Sequence, residues 1–183
     1  MTPHVIGIDP SLTSTGIAHI APDGRVTLSR VRSKGRAGAT WYERGERLID
    51  LAARIDEHLV LPDPALVVIE APAYAAASTS VHDRAGLWWD VWHAARGRGH
   101  DVVAVTPSQR MMYATGTGRA DKDRVLAAVV RRYGDVEVSG NDEADALVFA
   151  AIGRRLVGAP IEDSLPATHV RAMKKIALPG GEV

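Results

Sequence analysis

Val5-Ile6-Gly7-Ile8-Asp9-Pro10-Ser11-Leu12-Thr13-Ser14-Thr15-Gly16-Ile17-Ala18 packs a strand, one carboxylate and a return turn into a single short span. Val5, Ile6 and Ile8 form a β-branched apolar run, the pattern of a central strand covered on both faces. Pro10 has no N–H to give to a ladder, so regular pairing ends just after Asp9. Small polar residues through Thr15, then Gly16, suit a tight turn into a returning strand over residues 17–20. The strand thus delivers Asp9 to its end. A carboxylate buried there needs a cation beside it. A strand-end Asp that caps the turn through its own backbone is the alternative, and the stretch alone supports both.

Working outward, residues 17–20 and 26–31 flank Pro22-Asp23-Gly24-Arg25, a strong turn, and form a hairpin. With the first strand they make an antiparallel meander. Residues 33–40 are glycine-rich and basic, the composition of a mobile loop. Leu48, Leu51, Ala52, Ile55 and Leu59 recur at helical spacing over residues 41–59, and Pro62 and Pro64 end that helix. Leu66-Val67-Val68-Ile69-Glu70 is a second buried strand that again finishes on a carboxylate and again runs into a proline, Pro72. The repeated design carries more weight than either strand alone.

A loop over residues 75–84 opens into a helix that carries Leu87-Trp88-Trp89-Asp90-Val91-Trp92 and fades at Gly97 and Gly99. Residues 101–105 are a third buried strand. Thr106 is a natural N-cap with Pro107 at the first helical position. Residues 116–119 break the chain, residues 121–133 form a further helix, and Asn141 caps a last one over residues 142–157. The order implies an α/β protein with a mixed five-stranded sheet, a meander plus two parallel strands, and helices on both faces. The expected domain covers residues 1–157. Residues 158–183, punctuated by Pro160, Pro166 and Pro179, read as a tail whose basic segment (Arg171, Lys174, Lys175) docks on DNA or stays mobile.

Composition narrows the function. The 183 residues are 46% hydrophobic and 24% charged, which suits one globular domain with a sizeable core. Formal net charge is zero, so affinity for nucleic acid must come from local basic patches. Absence of cysteine excludes disulfides, thiolate metal sites and cysteine nucleophiles, and fits a reducing compartment. No apolar run approaches a membrane span and Thr2-Pro3-His4 opens no secretory signal, so a cytoplasmic protein without a membrane partner is expected.

Four carboxylates stand out. Parallel placement of their strands would bring Asp9 and Glu70 to one sheet end, while Asp142 and Asp145 share a helix face. Converging without an arginine, such acids would repel unless hard cations neutralise them. Oxygen-only ligation suits Mg²⁺ or Mn²⁺, and two such ions about 3.5–4 Å apart assist phosphodiester hydrolysis. The bland alternative for Asp142 and Asp145 is favourable charge at a helix N-terminus. Glu143 should face elsewhere, into solvent. Trp88 and Trp89 cannot both face inward, so one is a candidate for a subunit contact. His82 and His93 lack ligand spacing and receive no metal.

Gly7-Ile8-Asp9-Pro10-Ser11-Leu12-Thr13-Ser14-Thr15-Gly16, Val68-Ile69-Glu70, Thr106-Pro107-Ser108-Gln109, Gly118-Arg119-Ala120-Asp121-Lys122 and Asn141-Asp142-Glu143-Ala144-Asp145-Ala146 occur in the order seen in the RuvC family of Holliday junction resolvases, which this chain resembles from about Val5 to Arg155. The resemblance implies a ribonuclease-H-like fold and a homodimer. The expected activity is symmetric nicking of four-way DNA junctions with divalent metal, leaving 5′-phosphate and 3′-hydroxyl ends. It makes Asp9, Glu70, Asp142 and Asp145 the metal-binding acids, with two Mg²⁺ or Mn²⁺ ions per site, and Lys122 a contact near the scissile phosphate.

The chain also departs from the pattern. Arg110-Met111-Met112 stands where a second lysine is expected, leaving Arg110 as the phosphate contact. The junction-wedging aromatic is replaced at best by Tyr74, after Pro72 and Ala73. Arg30, Arg32, Lys34 and Arg36 form a solvated loop or, with Arg119, Lys122 and Arg124, a positive track for DNA. Arg84-Ala85-Gly86-Leu87-Trp88-Trp89 resembles resolvase-like proteins of actinobacterial phages, which implies a phage origin, in a bacterial cell or phage-infected host, and a broader preference for branched DNA that includes flaps and forks.

Two other readings compete: a catalytically inactive branched-DNA-binding module, and half of an actin-like ATPase, for whose second lobe the chain has no room. No helicase or packaging partner can be named from these residues.

Overall fold

The structure is a computed structural model and describes residues 2–72 and 80–180. Strands β1 (His4–Asp9), β2 (Ser14–Ile20), β3 (Val26–Arg32), β4 (Ala65–Glu70) and β5 (Asp101–Val105) form one sheet in the order β3-β2-β1-β4-β5. β1, β2 and β3 pair antiparallel, while β4 lies parallel to β1 and β5 parallel to β4. The expected meander and two parallel strands are present, in the ribonuclease-H-like arrangement.

Side-chain alternation sorts the two faces of this sheet. Ile6, Ile8, Val67 and Ile69 pack with Leu51 and Ile55 of α1 (Trp41–Asp56) and with Leu87 and Val91 of α2 (Val81–Gly97). Val5, Leu66 and Val68 point the other way, onto α5 (Asn141–Leu156). Gly7 shares their face, and a Cβ there would collide with the Ala146 carbonyl and come 2.4 Å from the Ala150 nitrogen. Helix and sheet therefore touch backbone to backbone. Every residue of α5 from Glu143 to Arg154 is buried, an environment that its many alanines suit.

Local chemistry explains the element ends. Thr40 and Glu43 form a reciprocal capping box at the start of α1, and Thr106 and Gln109 form another at α3 (Pro107–Thr115), with Pro107 at the first position as expected. Asp121 caps α4 (Lys122–Arg132) by accepting from the Arg124 N–H at 2.7 Å. Asn141 is the first helical residue of α5 rather than its cap, and Gly140 takes the cap position.

Residues beyond Gly158 run back across the α3–α5 layer. Ile161, Leu165, Met173 and Ile176 pack against the core, and α6 (Ala167–Val170) lies on α3. Glu162 is buried, accepting from the hydroxyls of Tyr113 at 2.8 Å and Tyr133 at 2.5 Å and pairing with Arg155 at 3.0 Å. Among the described residues, no helix is long and apolar enough to cross a membrane.

Candidate active site at the end of the parallel strands

Two carboxylates reach the site from the sheet and two from α5. Asp9 follows Val5 and Gly7 on the α5-facing side of β1; Glu70 follows Leu66 and Val68 on the same side of β4. Parallel register pairs Ile8 with Ile69, so Asp9 and Glu70 end their strands side by side. Asp142 and Asp145 stand in the first turns of α5, above that sheet end. Gly16 lies inside β2, not in the turn, and a Cβ on it would overlap the Asp142 carbonyl. Close approach, rather than turn geometry, is what this glycine provides.

The backbone around both strand ends is tied down. Thr15 is fully buried, accepts from the Ser11 N–H at 3.0 Å and donates to the Ser11 carbonyl at 2.9 Å. Arg47 donates to the Leu12 carbonyl and, at 2.9 Å, to the Ser33 hydroxyl. Trp88 donates its indole N–H to the Glu70 carbonyl at 2.7 Å. Arg47 and Trp88 reach the site from α1 and α2, and no local sequence pattern announces either contact.

The charges form one coupled set. Burial first, then the neighbouring Glu70 and Asp145, push Asp9 up to about 8 despite the opposing pull of Arg110. Burial also raises Glu70 and Asp145, against the downward pull of Arg110 and Lys122. Arg110 is the unexpected member. Only 8% exposed, it ion-pairs with Asp145 Oδ2, and its Nη1 lies 3.6 Å from Glu70 Oε2. The acids thus meet with an arginine among them, contrary to expectation, and Arg110 does not project toward solvent as a free phosphate contact.

Among the described residues, no three Asp, Glu or His side chains converge closely enough to hold a metal ion in this arrangement. The donor chemistry still fits a hard cation. All four acids offer oxygen, Glu70 Oε2 is buried without a hydrogen-bond partner, and Asp9 is short of positive charge.

Lys122 is exposed in the first turn of α4, close enough for Glu70 and Asp145 to feel its charge. Arg119 is exposed just before it. Lys34 and Arg36 lie in the exposed loop after β3, at the same end of the sheet, with Arg36 paired to Glu43 at 2.6 Å. Arg30 is not part of a free track, since it pairs with Glu143 at 3.0 Å. Glu143 is itself buried rather than solvated, and it accepts from the Ser139 N–H at 2.6 Å. Tyr74 lies outside the described residues. Trp88 turns inward and Trp89 outward, 52% exposed.

Residues 5–153 match the family model described as crossover junction endodeoxyribonuclease RuvC. The chain belongs to the RuvC family. The RuvC of Paenarthrobacter aurescens strain TC1 is 33% identical over 153 residues, covering 82% of this chain and 80% of that relative. The RuvC of Leifsonia xyli subsp. xyli is 35% identical over 153 residues, covering 82% and 73%. The solved structure of Thermus thermophilus RuvC superposes with a TM-score of 0.62 at 26% identity, covering 85% of this chain and 97% of that one. RuvC of the same organism in complex with a Holliday junction substrate gives a TM-score of 0.63 at 24% identity and shares the fold. The match to the family model stops at residue 153, before Glu162 and α6.

Proposed function

We propose that this chain is a divalent-metal-dependent endonuclease that resolves four-way DNA junctions by paired phosphodiester hydrolysis, working in the cytoplasm as a homodimer. The observation that supports the reading is the position of Asp9 and Glu70 at adjoining strand ends near Asp145 and Asp142, with Asp9 pushed up to about 8 first by burial and then by the neighbouring carboxylates. Those acids would hold two Mg²⁺ or Mn²⁺ ions, which when bound activate a water and neutralise charge on the leaving oxygen.

The chain's own residues do the rest. Asp9 and Glu70, on rigid strands, set the donor positions, and Trp88 holds the Glu70 backbone in place. Lys122 would contact the phosphate near the cut, while Arg119, Lys34 and Arg36 would bind flanking backbone. Exposed Trp89 on α2 would serve the contact between subunits, and a second copy would supply the second nick.

The test is a nicking assay on a mobile four-way junction and a matched linear duplex, with Mg²⁺, Mn²⁺ or EDTA. Symmetric metal-dependent cuts on the junction are expected, and Asp9→Asn should abolish them while retaining junction binding. One observation favours a second reading, the inactive binding module: Arg110 takes up acid oxygens that a metal would use. Tight junction binding without cutting would establish that module, and cutting of flaps and forks as well would mark a general debranching nuclease.

A further inference from the structure

We propose that Arg110 is a resident counterion of the acid set, which a divalent cation must displace in order to bind. The inference rests on the metal-site reading above and adds to it a competitor supplied by the chain itself. Three observations converge on it. Arg110 is buried, pairs with Asp145 Oδ2, and lies 3.6 Å from the otherwise unpartnered Glu70 Oε2. Its own Nε has no hydrogen-bond partner, and its closest contact to each acid runs through Nη1. Its guanidinium carbon also lies 5.8 Å from the centroid of the Phe149 ring.

Charge arithmetic makes the two occupants exclusive. A monovalent guanidinium and a divalent ion sharing Asp145 and Glu70 oxygens would stand within a few ångströms of each other, where like charges repel strongly in a partly buried site. Without metal, Arg110 keeps the acids assembled and limits their mutual repulsion. With metal, Arg110 gives up those oxygens and carries an unpaired charge beside the site. The substrate in the proposed function brings the anion to meet it, a backbone phosphate. One residue then couples metal binding to DNA binding, each favouring the other.

The experiment measures metal binding without DNA or turnover. Tb³⁺ luminescence sensitised by Trp88, beside Glu70, and Mn²⁺ binding by electron paramagnetic resonance are read on the full chain and on Arg110→Met and Arg110→Lys. Arg110→Met should bind both ions at least tenfold more tightly than the wild type, with Arg110→Lys between them. Unchanged or weaker binding by Arg110→Met overturns the inference and leaves the metal site standing. If neither the wild type nor Arg110→Met binds either ion, or Asp145→Asn binds as well as the wild type, the metal-site reading itself fails. A measurement on the wild type covers a misfolded Arg110→Met: the ¹⁵N–¹H resonance of Arg110 Nε should shift on adding Mg²⁺, and an unmoved resonance under saturating Mg²⁺ overturns the proposal.

Discussion

Gly16 of β2 and Asp142 of α5 meet backbone to backbone, with no room between them for a Cβ. The separation of the two halves of the acid set is therefore governed by a residue that contributes no side chain. Gly16→Ala must push α5 away from the sheet, since the obstructing atom is a main-chain carbonyl. Overpacking of this kind costs about 1–3 kcal/mol or more. A lowered denaturation midpoint is expected, together with a nicking rate that falls further than stability alone explains. A variant as stable and active as the wild type would show that the contact has slack.

Trp88→Phe keeps an aromatic ring in the α2 layer but removes the hydrogen bond to the Glu70 carbonyl. Loss of that bond should cost about 1–2 kcal/mol in urea unfolding. Nicking should slow while junction affinity is retained, because the bond positions a donor strand rather than touching DNA.

Asp9 connects the site to pH. Its carboxyl titrates near 3.8 when free and is pushed to about 8 in the metal-free fold. Between those limits the folded chain holds more protons than the unfolded one, so ionising Asp9 removes stability as pH rises through this window. The loss is at most about 6 kcal/mol. Asp9→Asn stays neutral and escapes it. In EDTA its melting temperature should exceed that of the wild type at pH 8 and converge with it near pH 4. Adding Mg²⁺ should narrow the gap by stabilising only the wild type.

Lys34 and Arg36 are tested by salt. Each phosphate contact contributes about 0.9 to the log–log slope of binding against salt concentration. Replacing both with alanine should make the slope shallower by about 2 and weaken binding similarly on different junction sequences. An unchanged slope would return both residues to the solvent, with Arg36 serving only its pair with Glu43.

Glu162 anchors the returning chain. Glu162→Ala removes the carboxylate shared by Arg155 and two tyrosine hydroxyls, leaving Arg155 only its bond to Tyr113, and should cost about 3 kcal/mol. Burial, then Glu162, raises the Tyr113 and Tyr133 ionisations above the ordinary tyrosine value, so their protons help stability until pH climbs past 10. Absorbance titration of Glu162→Ala should find both ionising at lower pH than in the wild type.

Much of this architecture is written locally. The apolar runs of β1, β4 and β5, the prolines after Asp9 and Glu70, and the capping residues Thr40, Thr106 and Asp121 each act within a few residues of themselves. Such signals can be read one at a time. Asp142 and Asp145 were legible through their helical spacing. Arg110, Trp88, Arg47 and Glu143 were not, because each takes its role from a partner far along the chain. Glu143 resembled any solvated helix-start acid until Arg30 of β3 came to meet it. The return of residues 159–176 was hidden by its prolines, which mark irregular backbone without saying whether that backbone packs.

The burial of α5 bears on how the protein is made. This helix covers β1, β2 and β4, yet it lies near the end of the chain while β1 lies at its start. Contacts of such long range close late, since the intervening loop entropy must be met first. During synthesis, Asp9 and Glu70 leave the ribosome well before Asp142 and Asp145. One face of the sheet stays open until α5 arrives, so the nascent chain depends on protection from aggregation over that interval. The acid set is completed only when the core closes, so an unfinished molecule lacks the assembled carboxylates on which the proposed cutting depends.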